Sequence, residues 1–122
     1  MTQRTESTLQ MSIHDLLSRC GIFHFAPLNE TAMMILKMFK VPDKTCYAVI
    51  NYLKKMGLTS GIPDILILHK GTVYFLELKS ENGKLSDVQK CVHGALTSKG
   101  YKVATAYNFE QAYGKLNEWG MV

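Results

Sequence analysis

Between Gly61 and Lys79 the chain sets Asp64, Glu77 and Lys79 on two apolar runs joined by a short break. The runs read Ile65-Leu-Ile-Leu-His69 and Thr72-Val-Tyr-Phe-Leu-Glu77-Leu-Lys79, with Lys70-Gly71 between them. Short β-branched and aromatic runs on either side of a glycine-containing break read as a hairpin. With Lys70-Gly71 as a two-residue loop, facing residues have numbers that sum to 141, so His69 faces Thr72 and Asp64 faces Glu77. Directly opposed Cβ atoms lie about 4.5–5.5 Å apart, close enough for two carboxylates to hold one metal ion. Lys79 leaves its strand on the same face as Glu77. Two carboxylates and an ammonium at the end of an apolar hairpin are costly unless a ligand compensates them. A divalent metal together with a phosphate would do so.

Hydrolysis of a phosphodiester needs a Lewis acid on the phosphate oxygen, an activated water and charge to steady the transition state. Asp64 and Glu77 suit Mg²⁺ or Mn²⁺, with the Leu78 backbone carbonyl as a further oxygen ligand and water filling the rest of the shell. Lys79 suits the remaining needs, either holding or deprotonating the water.

The elements that must position these groups follow from apolar spacing. Leu9, Ile13, Leu16, Leu17 and Cys20 recur at helical intervals, and Gly21 suits the C′ position, which predicts a helix over about 7–20. Residues 22–26 form a short strand ending at Pro27. A second helix spans 31–39, carrying Ala32, Ile35, Leu36 and Phe39, and Val41-Pro42-Asp43 breaks it. Tyr47, Ile50, Leu53 and Met56 mark a third helix closed by Gly57. Both faces of the hairpin are apolar, as in sheets covered by helices on both sides. A helix carrying Val88, Cys91, Val92, Ala95 and Leu96 ends before Gly100, and a strand follows over 101–107. Asn108 caps a last helix that turns Phe109, Ala112, Leu116 and Trp119 inward. The expected architecture is α/β, a small central sheet flanked by helices, in one domain over residues 1–122.

The chain is long enough for a core without disulfides. Its three cysteines, Cys20, Cys46 and Cys91, are far apart and lack metal-ligand spacing. They are expected as buried, reduced thiols. No apolar signal segment precedes the first helix, and no run of about 18 apolar residues could cross a membrane. A cytoplasmic protein with no membrane partner is expected. The net charge of +4 is a weak pointer to nucleic acid, but its distribution says more. Between Thr31 and Met56 stand Lys37, Lys40, Lys44, Lys54 and Lys55 against Asp43 alone, which is either a phosphate-tracking surface or a pair of solvated helix faces.

Other polar residues have two readings. Gly61 is a turn glycine or permits close approach of a DNA backbone. Ser86-x-x-Gln89 is a capping box, and the same helix N-terminus could bind phosphate. Lys84 and Lys90 flank the site and could contact phosphates. His14, His24, His69 and His93 are scattered without ligand spacing and read as structural or surface residues, with His69 facing solvent.

Pro63-Asp64, a gap of twelve residues and then Glu77-Leu78-Lys79 resembles the PD-(D/E)xK nuclease motif. Leu53-Lys-Lys-Met-Gly57-Leu-Thr-Ser-Gly61-Ile-Pro-Asp64, Phe75-Leu-Glu77-Leu-Lys79 and Gly83-Lys-Leu85-Ser86-Asp-Val-Gln89 are similar to its VRR-NUC branch, covering residues 53–106. Upstream, Glu6 with Gln10 looks like the family's acidic helix, and Phe25-Ala-Pro27-Leu-Asn29-Glu30 like its phenylalanine-to-Pro-Asn stretch. The connection from Thr31 to about Lys44 is longer than the family's usual one. The resemblance implies a restriction-endonuclease-like mixed sheet and a role for Gln89 in the active site. It also gives Glu6 either an outer-shell metal role or a simple match to the helix dipole. It further implies a Mg²⁺- or Mn²⁺-dependent endonuclease with no small-molecule cofactor, acting as a homodimer on branched DNA such as four-way junctions. Two sites related by a two-fold axis suit the cutting of two strands. Nicking or flap cleavage, and a non-catalytic DNA-binding module, are the alternatives.

Overall fold

The structure, a computed structural model, describes residues 2–122. Its centre is the hairpin of β2 (Ile65–His69) and β3 (Thr72–Leu78). Lys70 and Gly71 both adopt positive φ, 50° and 77°, which is the two-residue turn whose twist matches antiparallel strands. The register runs from His69↔Thr72 to Ile65↔Leu76, as the sequence predicts. β1 (Phe23–Phe25) adds antiparallel to β2 on one side, and β4 (Lys102–Ala106) parallel to β3 on the other. The mixed sheet has the order β1-β2-β3-β4.

Five helices complete the described chain: α1 (Thr2–Arg19), α2 (Thr31–Met38), α3 (Asp43–Lys55), α4 (Asp87–Ser98) and α5 (Phe109–Glu118). α1 ends where expected: Gly21 has φ 71°, and Ile22 N–H reaches back 2.9 Å to Leu17 O. α4 makes the crossover that a parallel β3–β4 pair requires. Asn108 caps α5, its Oδ1 accepting from Gln111 N at 2.8 Å. α3 begins at Asp43, directly after Pro42, earlier than the apolar spacing marks.

The core lies on one face of the sheet. Ile65, Ile67, Leu76 and Leu78 project there and meet Ile13 and Leu17 of α1 and Ala112 and Leu116 of α5. Truncating any of the large ones to alanine would cost about 2–5 kcal/mol. The opposite face departs from expectation, because helices cover only part of it. α4 packs beside β4, where Tyr101 meets Phe75 edge-on at 5.8 Å, while α2 and α3 pack on each other. Phe23 and Phe25, opposite Leu68 and Leu66, are therefore 61% and 45% exposed.

Three further expectations need correction. All three cysteines are free, but only Cys46 is buried; Cys20 and Cys91 are exposed because they fall on the outer sides of their elements. Phe109 is exposed, stacked loosely on Tyr113 instead of turned inward. The histidines are not mere scatter. His14 Nδ1 and His24 Nε2 lie 2.7 Å apart, and His69 is half-buried with Nε2 unpartnered among the described residues.

Candidate active site

Asp64 is the residue just before β2, so the hairpin register carried one step further sets it opposite Glu77. Its carboxylate is fixed by two donors: Leu78 N–H reaches Oδ2 at 2.8 Å, and Asn29 Nδ2 reaches Oδ1 at 3.3 Å. In an extended strand the N–H and C=O of one residue point the same way. The Leu78 carbonyl therefore also faces the Asp64 side.

Asn29 is 5% exposed and thoroughly anchored. Its amide also donates to Ile62 O at 3.2 Å, and its Oδ1 accepts from Thr31 N at 3.1 Å and Thr31 Oγ1 at 2.6 Å. Beside it, Glu30 Oε1 accepts from Gly61 N at 3.0 Å. The start of α2 thus clamps the loop that presents Asp64. Gly61 is buried, and α4 is what a side chain there would strike: a Cβ would lie 2.9 Å from both Val88 O and Val92 Cγ2. With φ at 83°, the position suits glycine for this close packing.

Glu77 is 2% exposed, and its Oε1 has no hydrogen-bond partner among the described residues. Its carboxyl is pushed up from 4.5 to about 10. Burial is the main cause, followed by the Asp64 charge and a hydrogen bond with the Asp64 carboxyl; Lys79 pulls the other way without offsetting them. Lys79 is itself held in line by its N–H, which donates to Ala106 O at 2.9 Å.

α4 approaches this group with its N-terminus. The capping box is present, with Gln89 N donating to Ser86 Oγ at 3.1 Å and Ser86 N donating to Gln89 Oε1 at 2.9 Å. Gln89 is buried, yet it and Ser86 line the same cleft as Asp64, Glu77 and Lys79, so capping and a place at the site coexist. With Oε1 committed to the cap, Gln89 offers a ligand its amide N–H groups. Glu6 comes to the cleft from α1, its Oε2 accepting from Ser80 N at 3.2 Å. The cleft holds about 360 Å³. Lys84 and Lys90 are exposed and do not line it.

His93, read from sequence as structural or surface, lies under the acid pair. It sits one turn beyond Gln89, 8% exposed, with Nε2 at 3.6 Å from Glu77 Oε1. Burial lowers its pKa, so the contact is one of a neutral imidazole with a carboxyl rather than an ion pair. The i, i+4 relation to Gln89 is the signal that could have placed it on the inner face of α4.

The chemistry of this donor set fits a hard divalent cation. Two carboxyls facing one cleft, so close that one keeps a proton, would give that proton up to solvent on binding a metal. Among the described residues no group of three His, Cys, Asp or Glu side chains is gathered to hold one. The Leu78 carbonyl and water would have to complete the shell, as Mg²⁺ tolerates.

A mixed α/β sheet with Asp64 just before β2, Glu77 on β3 and Lys79 just past it, beside a helix N-terminus, is the arrangement that the resemblance in the sequence implies for a nuclease-type domain. The family model described as the VRR-NUC domain matches residues 4–109, and the chain belongs to that family. The match extends well upstream of residue 53, where the resemblance in the sequence thins, and takes in α1, β1, α2 and α3. No curated protein and no solved structure matches the chain.

Proposed function

We propose that this nuclease domain is a Mg²⁺- or Mn²⁺-dependent endodeoxyribonuclease selective for branched DNA, four-way junctions included, and works as a homodimer. The observation that carries the reading is the Asp64–Glu77 pair, half-buried Asp64 beside buried Glu77, which lines one cleft together with Lys79. Such a pair is unfavourable alone and becomes favourable around a cation.

Asp64, Glu77 and the Leu78 carbonyl would hold the metal, with Glu6 behind Ser80 as an outer partner. When bound, the metal supplies Lewis-acid polarisation of the phosphate. Lys79 orients or deprotonates the attacking water and places positive charge beside the phosphorane-like transition state. The Gln89 amide and the N-terminus of α4 hold non-bridging phosphate oxygens. Asn29 keeps the Asp64 carboxylate aimed into the cleft through the metal cycle. One short chain offers one such site, and a two-fold dimer supplies the pair needed to cut two strands.

The test is a panel of linear, nicked, flap and four-way DNA incubated with Mg²⁺ or Mn²⁺. Cleavage of branched substrates in preference to linear duplex is expected. Cleavage of none of them in either metal would leave a DNA-binding module in its place.

A further inference from the structure

The α2–α3 hairpin is larger than presenting Asn29 and Glu30 requires. The two helices pack on each other and not broadly on the sheet, and they leave Met38, Phe39, Tyr47 and Tyr52 exposed. Between them and the loop before Asp64 runs a groove of about 700 Å³. Lys37 of α2 and Lys54 of α3 line it, with Met33, Met38, Ile50 and Leu58 as its apolar wall. It shares Asn29, Glu30 and Met34 with the catalytic cleft, so the two adjoin at the start of α2. Glu30, the one carboxylate among the described lining residues, has Oε1 taken by Gly61 N–H.

Charge decides the occupant. Lys37, Lys40, Lys44, Lys54 and Lys55 stand on this hairpin against Glu30 and Asp43, so a second copy docked here about a two-fold axis would oppose lysine to lysine. A polyanion meets no such barrier. A continuous duplex hides its base faces and would leave the apolar wall against phosphates. An unpaired strand presents phosphates to the lysines and base and sugar surface to the methionines and isoleucine.

We propose that this groove carries an unpaired DNA strand leading to the scissile phosphate, with Lys37 and Lys54 on its phosphates and the Met33–Met38–Ile50–Leu58 wall against its bases. This rests on the nuclease reading and sharpens it, favouring branched DNAs with an unpaired arm.

The experiment is fluorescence anisotropy with a labelled flap DNA and a matched duplex, without divalent metal, on the full chain. Lys37→Glu, Lys54→Glu and the double variant are compared with wild type and with Lys102→Glu, an exposed position on β4 outside the groove. Wild type should bind the flap more tightly than the duplex. Each groove reversal should weaken flap binding about three- to tenfold. Each should also lower the slope of log K against log salt by about 0.7, the single-strand value per phosphate. The double variant should lose its preference for the flap, and Lys102→Glu should behave as wild type. A double variant with wild-type flap affinity and salt slope overturns the groove, and does so alone if wild type cleaves DNA. Wild type that binds the flap through these lysines yet cuts no DNA with Mg²⁺ or Mn²⁺ supports the groove and overturns the nuclease reading.

Discussion

His93 Nε2 stands 3.6 Å from Glu77 Oε1, and among the described residues neither atom has a hydrogen-bond partner. If, as proposed, Glu77 holds a cation, an imidazole beside its Oε1 leaves Oε2 as the ligand, the usual task of a group behind a metal ligand. His93→Leu is expected to weaken Mn²⁺ affinity, read by calorimetry, about 10–100-fold. His93→Gln, which keeps an N–H donor, should recover much of that loss. Equal Mn²⁺ affinity in wild type and His93→Leu would reduce His93 to packing.

Asn29 and Asp64 make a second such relationship, 3.3 Å apart across 35 residues of sequence. Removing the Asn29 side chain strips a donor from Asp64 and leaves Thr31 N–H without its acceptor. Asn29→Ala should cost about 1–3 kcal/mol in a denaturant melt. Because it misaims a ligand rather than a substrate contact, kcat should fall at saturating metal while the KM for DNA holds. A fall confined to KM would contradict the positioning role.

Glu77 makes the metal-free protein pH-sensitive. Its carboxyl titrates near 4.5 when unfolded and is pushed up to about 10 when folded, so between those values the folded state binds the extra proton. Stability from this group is full below pH 4.5 and is lost as pH rises toward 10. The depressed pKa of His93 acts only on the acid side of 6.5, so from pH 7 to 9 the difference between wild type and Glu77→Gln reports Glu77. Across that window the metal-free Tm should fall more steeply for wild type than for Glu77→Gln. A wild-type Tm rising in step with the variant's would show that Glu77 folds ionised. Added Mn²⁺ should stabilise wild type most at the alkaline end and Glu77→Gln little.

Much of this site could be read from sequence because the hairpin is local. A Lys-Gly turn with both residues at positive φ leaves one register, and that register alone brings Asp64 to Glu77. The capping box of Ser86 and Gln89 is local too. Asn29, Glu30 and His93 reach the site only through tertiary packing, and no single asparagine or histidine carries a local mark of its distant partner. The half-open sheet face escaped for a related reason. Alternating apolar residues say that a face is apolar but not which element lies on it, and α2 and α3, whose spacing suits a cover, pack on each other instead. Gly61 looks from sequence like a turn or a contact for DNA; only the arrival of α4 at 2.9 Å from its missing Cβ shows why glycine stands there.

Gly61 accordingly gives a stability prediction separate from catalysis. Gly61→Ala introduces a methyl against Val88 O and Val92 Cγ2 at a positive φ. A loss of about 1–3 kcal/mol is expected from the overpacking alone, seen as a lowered Tm. An unchanged Tm would mean that α4 sits further from the loop than the structure has it.

The claim on which the rest depends is that Asp64 and Lys79 act in metal-dependent strand cleavage rather than in holding the hairpin together. The measurement is cleavage of a synthetic four-way junction, with Mg²⁺ and with Mn²⁺, by wild type, Asp64→Ala and Lys79→Ala, with circular dichroism and junction binding recorded on the same preparations. Wild type should cut, and both variants should be silent in either metal while folding and binding the junction much as wild type does. Cleavage by Asp64→Ala at the wild-type rate would contradict the assignment of this site.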